Sequence, residues 1–193
     1  MLSLIEETER RRHMKLHFLG TRGYLRVRSE RHYMHASLQV SFHGRRVILD
    51  LGEDWLGKAF ELAPAVGYRV TAGTATIFYA PDLVYIEDRA EALAGADLYI
   101  GDGATLERSM VRKRGDVLFG HTPMRTQLTW CEKEGVRASI FTHCGAHIVA
   151  GDEESVAAKL EVMARERGVA TAIAHDGFDL EVRGSKSLGR PGG

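Results

Sequence analysis

From residue 15 onward, apolar and polar positions alternate in short runs closed by turn residues, the pattern of half-buried strands. Residues 15–19 predict a first strand, ended by Gly20-Thr-Arg-Gly23. Residues 37–42 and 46–51 flank His43-Gly44, and residues 68–71 and 74–79 flank Ala72-Gly73, so each pair predicts a β-hairpin. Beyond Tyr79 the period lengthens. Residues 88–93 predict a short helix, 97–100 a strand, 122–134 a helix closed by Gly135, 138–142 a strand and 152–167 an amphipathic helix closed by Gly168. Residues 170–174 and 178–182 predict closing strands. Hairpins followed by strand–helix units predict a layered α/β protein with mixed sheets and outer helices.

Composition narrows this picture. A chain of 193 residues, 44% hydrophobic, supports one substantial core, here expected over residues 15–183. Residues 1–14 are expected to be an extension and residues 184–193, rich in Gly, Ser, Pro and Lys, a disordered tail. Twenty-six basic and 26 acidic residues cancel, so no global charge argues for nucleic acid or a membrane surface as partner. The basic run Arg10-Arg-Arg-His13 is offset by Glu6, Glu7 and Glu9, and Met110-Val-Arg-Lys-Arg114 is short enough to be a solvated loop. Cys131 and Cys144 match no metal-binding spacing and suit free thiols in a reducing compartment. With no apolar run of spanning length and a charged beginning, a cytoplasmic protein is expected.

Candidate chemistry sits at strand ends. Asp50 closes an apolar strand before Gly52, Asp82 follows Tyr79-Ala-Pro, Asp102 stands in Ile100-Gly-Asp-Gly-Ala-Thr105, and His143 follows Ile140-Phe-Thr. Singly, each fits an ordinary turn or cap residue. Together, three carboxylates and an imidazole at successive strand ends favour one shared site, where such groups hold cations or exchange protons.

In order along the chain stand Leu16-His-Phe-Leu-Gly-Thr-Arg-Gly23, Val47-Ile-Leu-Asp-Leu-Gly-Glu53, Tyr79-Ala-Pro-Asp82, Gly101-Asp-Gly-Ala-Thr105, Gly120-His-Thr-Pro123 and Phe141-Thr-His-Cys-Gly145. This series resembles the metallo-β-lactamase-fold metallohydrolases, in particular the branch with tRNase Z-like and phosphodiesterase-like members. The resemblance spans nearly all of residues 15–183. It implies a four-layer αββα sandwich and hydrolysis of phosphodiester-type substrates by a metal-activated water, with zinc or manganese as cofactor. Residue by residue, it implies metal-ligand roles for Asp82 and His143, and catalytic roles for Asp50, Asp102 and His121.

The chain departs from the family at one place. The His-x-His-x-Asp-His run, which supplies most family ligands, is absent from the whole sequence. An internal deletion near residues 57–60 accounts for it, and predicts an incomplete sandwich truncated in its N-terminal half. Asp82 and His143 alone fall short of the three protein ligands of a catalytic zinc. His32, His35, His121 and His147 are the imidazoles available to complete a mononuclear site, His35 foremost because a strand starts beside it. The alternative is a catalytically inactive relative, a binding or structural homologue or fragment that lost its main metal-binding loop, with or without a bound metal. Loss of covering helices is expected to uncover Val40, Ile48 and Leu49, and so to favour a homodimer or larger homo-oligomer.

Overall fold

The computed structural model describes residues 13–50 and 67–184. The expected deletion point and the tail from residue 185 lie outside the described residues. Two main sheets stand in the order of an inter-sheet core and a helix layer. The first sheet contains β1 (Met14–Gly20), β2 (Ser37–Phe42), β3 (Arg45–Leu49) and β11 (Asp179–Val182), ordered β11-β1-β2-β3 and antiparallel throughout. In β1, Met14, Leu16 and Phe18 point inward while Lys15 and His17 do not, as a sheet with one covered face requires. The strand begins at Met14, one residue inside the expected extension, and that side chain is fully buried. His43 and Gly44 both have positive φ, 48° and 76°, the two-residue turn that matches strand twist.

The second sheet has the order β10-β9-β6-β5-β4. It comprises β4 (Tyr68–Ala72), β5 (Ala75–Tyr79), β6 (Leu98–Asp102), β9 (Ala138–Thr142) and β10 (Ala170–Ile173). β5, β6, β9 and β10 run parallel and β4 antiparallel. All five residues of β5 and of β6 are buried, because one face meets the first sheet and the other meets helices. The helices are α1 (Arg89–Leu93), α2 (Met124–Glu134), α3 (Ala146–Val149) and α4 (Glu153–Arg165).

One core lies between the sheets, with Leu16, Phe18, Leu38 and Val40 against Ile77, Leu98, Ile100 and Ile140. The other lies under the helices, around Phe78, Tyr99, Phe141, Leu128 and Leu160. The described residues thus form three layers of the expected four, sheet on sheet on helices.

Several elements differ from expectation. α2 starts at Met124 instead of Thr122, because Pro123, its N-cap, is extended at φ −65° and ψ 148°, while the Thr122 hydroxyl donates to the Val84 carbonyl. The second hairpin turns at Gly73-Thr74, one residue later than expected, with Gly73 at φ 63°. α4 starts at Glu153, with the Asp152 carboxylate accepting the Ser155 N–H at 2.9 Å as its cap. A two-stranded ribbon, β7 (Arg112–Arg114) with β8 (Val117–Phe119), occupies the segment read as a solvated loop.

The expected uncovered residues also divide. Val40 and Leu49 are buried in the inter-sheet core, Val40 on the inward face of β2 and Leu49 paired with the buried Leu38. Ile48 does face out, at 42% exposure, with Val47 at 56% on the edge strand.

Candidate metal centre

Adjacent parallel strands point the same way, so the C-terminal ends of β5, β6 and β9 meet at one sheet edge. Asp82 follows β5, Asp102 ends β6 and His143 follows β9, and His121 enters from the segment leading into α2. Asp82, Asp102, His121 and His143 each offer a ligand atom within 4.8 Å of the other three.

Asp102 is the floor of this group, fully buried. Its Oδ1 accepts the Ala104 N–H at 2.8 Å, and its Oδ2 accepts the Leu83 N–H at 3.3 Å and His121 Nδ1 at 2.8 Å. A carboxylate only accepts, so His121 carries its proton on Nδ1 and its lone pair on Nε2 when neutral. His121 Nδ1 also lies 3.4 Å from Asp82 Oδ1, and the rings of His121 and His143 have centroids 5.4 Å apart. His143 Nδ1 stands 3.6 Å from Asp102 Oδ1, an ion-pair distance too long for a hydrogen bond. That buried nitrogen has no hydrogen-bond partner among the described residues. Asp82, with its side chain 57% exposed, forms the mouth.

The backbone that carries these groups is tightly constrained. His143 adopts a left-handed φ of 56°, uncommon for a residue with a side chain. Its neighbour Cys144 donates its N–H to Thr21 O at 2.7 Å, and Cys144 O accepts the Gly23 N–H at 3.0 Å. The loop after β1 therefore clamps the turn. A Cβ on Gly145 would lie 2.0 Å from Ala104 O and one on Gly103 2.7 Å from Thr142 O, so only glycine lets the ends of β6 and β9 close this far.

Charge follows from the geometry. Burial pushes the Asp102 carboxyl up, but His121 and His143 beside it outweigh burial and hold it below its ordinary 3.8. Burial pulls the His143 imidazole down, yet Asp102, then Asp82 and Asp50, leave it above its ordinary 6.5. The stability lent by His143 is therefore full below pH 6.5 and is lost as pH rises through its raised folded value. The stability lent by Asp102 is present above 3.8 and is lost as pH falls through its depressed folded value. The metal-free protein is expected to be most stable between pH 3.8 and 6.5 as far as this pair is concerned. Urea unfolding of His143→Ala against the parent across that range checks it, and an unchanged difference above pH 6.5 would sink it.

Two carboxylates and two imidazoles form a nitrogen–oxygen donor set suited to a divalent cation. For bonds of about 2.0–2.1 Å, the ligand atoms of a tetrahedral site stand about 3.4 Å apart. The 3.6 Å between His143 Nδ1 and Asp102 Oδ1 is close to that value, and all four groups offer a ligand atom within 4.8 Å of the others. With the unpartnered His143 Nδ1 added, the residues fit a divalent cation.

Of the expected site residues, the structure thus gathers Asp82, Asp102, His121 and His143. Asp50 remains outside that group: it is exposed at the end of β3 with φ 56°, and its charge helps raise the His143 pKa. Among the other imidazoles, His32 bonds Thr21 at 2.8 Å and His35 stacks on Tyr24, so neither belongs to the group of described residues. His147 lies on α3 outside it as well.

Gln127, which bonds Asp102, stands in no sequence motif. Its signal is a polar residue on the buried stripe of α2, between Met124 and Leu128.

A family model described as "Beta-lactamase superfamily domain" matches residues 9–144. Among solved structures, the metallo-beta-lactamase fold protein YhfI from Bacillus subtilis is similar, with a TM-score of 0.61 and 12% identity over 88% of this chain and 100% of that one. A new diphosphatase from the PhnP family is similar too, with a TM-score of 0.60 and 16% identity over 88% of this chain and 97% of that one. At these identities the likeness shows the fold, a metallo-β-lactamase fold. No curated protein matches the chain.

Proposed function

This chain belongs to the beta-lactamase superfamily, and from that premise we propose that it is a metal-dependent hydrolase of phosphodiester-type substrates. The observation that carries the reading is the convergence of Asp82, Asp102, His121 and His143, with a buried, unpartnered His143 nitrogen among them. Its bearing on phosphodiesters draws support from the similar fold of the PhnP-family diphosphatase.

A divalent cation held by Asp82 and His143, with Asp102 and His121 adjoining, would supply Lewis acidity and lower the pKa of a bound water. The chain's own residues divide the remaining work. Asp102 fixes the His121 tautomer through Nδ1–H, so that Nε2 is the atom that accepts or returns a proton. Asp82 closes the mouth where substrate enters, and Asp50 adds negative charge near His143.

The test is hydrolysis of bis(p-nitrophenyl) phosphate after loading with zinc or manganese, before and after chelation. Near-stoichiometric metal and chelator-reversible hydrolysis are expected. Stoichiometric metal with no hydrolysis of any phosphodiester offered would favour a second reading, a catalytically inactive binding relative. That reading has its own support, the absence of any His-x-His-x-Asp-His run in the sequence.

Val47 and Ile48, exposed on edge strand β3, support a homo-oligomer. Light scattering is expected to give at least twice the monomer mass, and a monomer would exclude it.

A further inference from the structure

We infer that Gln127 is a positioning residue that sets Asp102 and His121 for the metal centre, an inference that rests on the metal-dependent reading above. Gln127 is completely buried on α2, in line with Met124, Leu128 and Cys131. A buried amide in an apolar stripe is costly unless every valence is used. Here all four are. Oε1 accepts the Tyr99 hydroxyl at 2.8 Å and the Asp102 N–H at 3.0 Å. Nε2 donates to the Asp102 carbonyl at 2.8 Å and to the Thr122 carbonyl at 2.8 Å. Because an N–H can only donate and a carbonyl only accept, the amide has one orientation.

The partners decide what this does. Gln127 grips both main-chain polar groups of Asp102, and also the carbonyl of Thr122, the residue after His121. Asp102 and His121 in turn bond each other at 2.8 Å. One side chain thus ties together the two segments whose meeting creates that bond. Its seat exists because residue 101 is glycine: a Cβ there would lie 2.3 Å from Gln127 Oε1. A purely structural glutamine would need only to satisfy the helix and strand it joins. Three of the four bonds here go to the Asp102 and Thr122 main chain beside the site, where displacements well under an ångström alter ligand spacing.

The experiment measures two quantities that fold stability alone does not move. The first is solvent exchange of the His121 Nδ1–H proton, followed by NMR in metal-free protein. The second is zinc affinity, from competition with a chromogenic chelator. Gln127→Leu is expected to speed the exchange about tenfold or more and to weaken zinc binding about 10- to 100-fold. Tyr99→Phe removes one of the four bonds and is expected to change both about twofold to threefold. Leu128→Ala, a cavity on the same stripe, is expected to lower stability while leaving both at parental values.

The inference is overturned if Gln127→Leu leaves exchange and affinity unchanged, or if Leu128→Ala moves both as far. Should Gln127→Leu fail to fold, Tyr99→Phe decides, and parental values there overturn the inference. If the parent binds no zinc, the metal reading fails, while the proton exchange still tests Gln127.

Discussion

Asp102→Ala is expected to destabilise the metal-free protein by about 3–5 kcal/mol, the usual cost of removing one partner from a buried charged pair. Asp102 is fully buried, and its carboxylate is the acceptor for the Leu83 N–H, the Ala104 N–H and His121 Nδ1. Alanine leaves all three donors without it, and water cannot replace it without opening the end of β6. His143 loses its closest counter-charge at the same time. Zinc affinity is expected to fall by about 100-fold, since Asp102 both adjoins the cation site and orients His121. Asp102→Asn keeps the shape and one acceptor oxygen. It is expected to recover part of the stability and little of the affinity. Urea unfolding and chelator competition measure the two effects. Parental values in both for Asp102→Ala would show that the group is neither a structural anchor nor part of a metal site.

A second pair of substitutions separates function from stability. Asp82 stands at the exposed mouth of the site, so Asp82→Ala is expected to change unfolding stability by no more than about 0.5 kcal/mol. His143→Gly loses the interaction with Asp102, but it also relieves a side chain held at φ 56°, strain worth about 1–3 kcal/mol. Its net stability change is therefore expected to be small. Both variants are nonetheless expected to lose zinc retention and phosphodiester hydrolysis by about 100-fold or more. Metal content after gel filtration and hydrolysis rates read the outcome. Two variants that fold normally and keep their zinc would remove Asp82 and His143 from the site.

The elements were largely legible because their signals are local. The His43-Gly44 turn, the Gly135 cap and the continuous apolar runs of β6 and β9 are written within windows of a few residues. The ribbon of β7 and β8 was not legible, since its three-residue strands are exposed on every position and carry no burial pattern. Strand-end placement likewise singled out Asp82, Asp102 and His143, with His121 following from the family's turn motif.

Grouping them was a different matter. Read along the chain, Asp82 and His143 were the metal ligands, while Asp102 and His121 had separate catalytic roles. The sheet order β9-β6-β5 brings Asp82, Asp102 and His143 to one edge, where His121 joins them with ligand atoms within 4.8 Å of one another, and strand order is a long-range property that no local window contains. Asp50 shows the converse. Its position at a strand end equals that of Asp102 in sequence terms, but β3 belongs to the other sheet, and its carboxylate stays outside the group while adding charge near His143.

By itself, then, the sequence determined the family resemblance, most of the strands and longer helices, and which polar residues end apolar strands. Those depend on residue type, periodicity and turn chemistry. Tertiary structure alone decided which of those residues lie together, that Val40 and Leu49 are covered, and that Gln127 bonds both main-chain polar groups of Asp102. Each of these depends on which strand lies beside which and which helix covers them, and so on contacts between residues far apart in the chain.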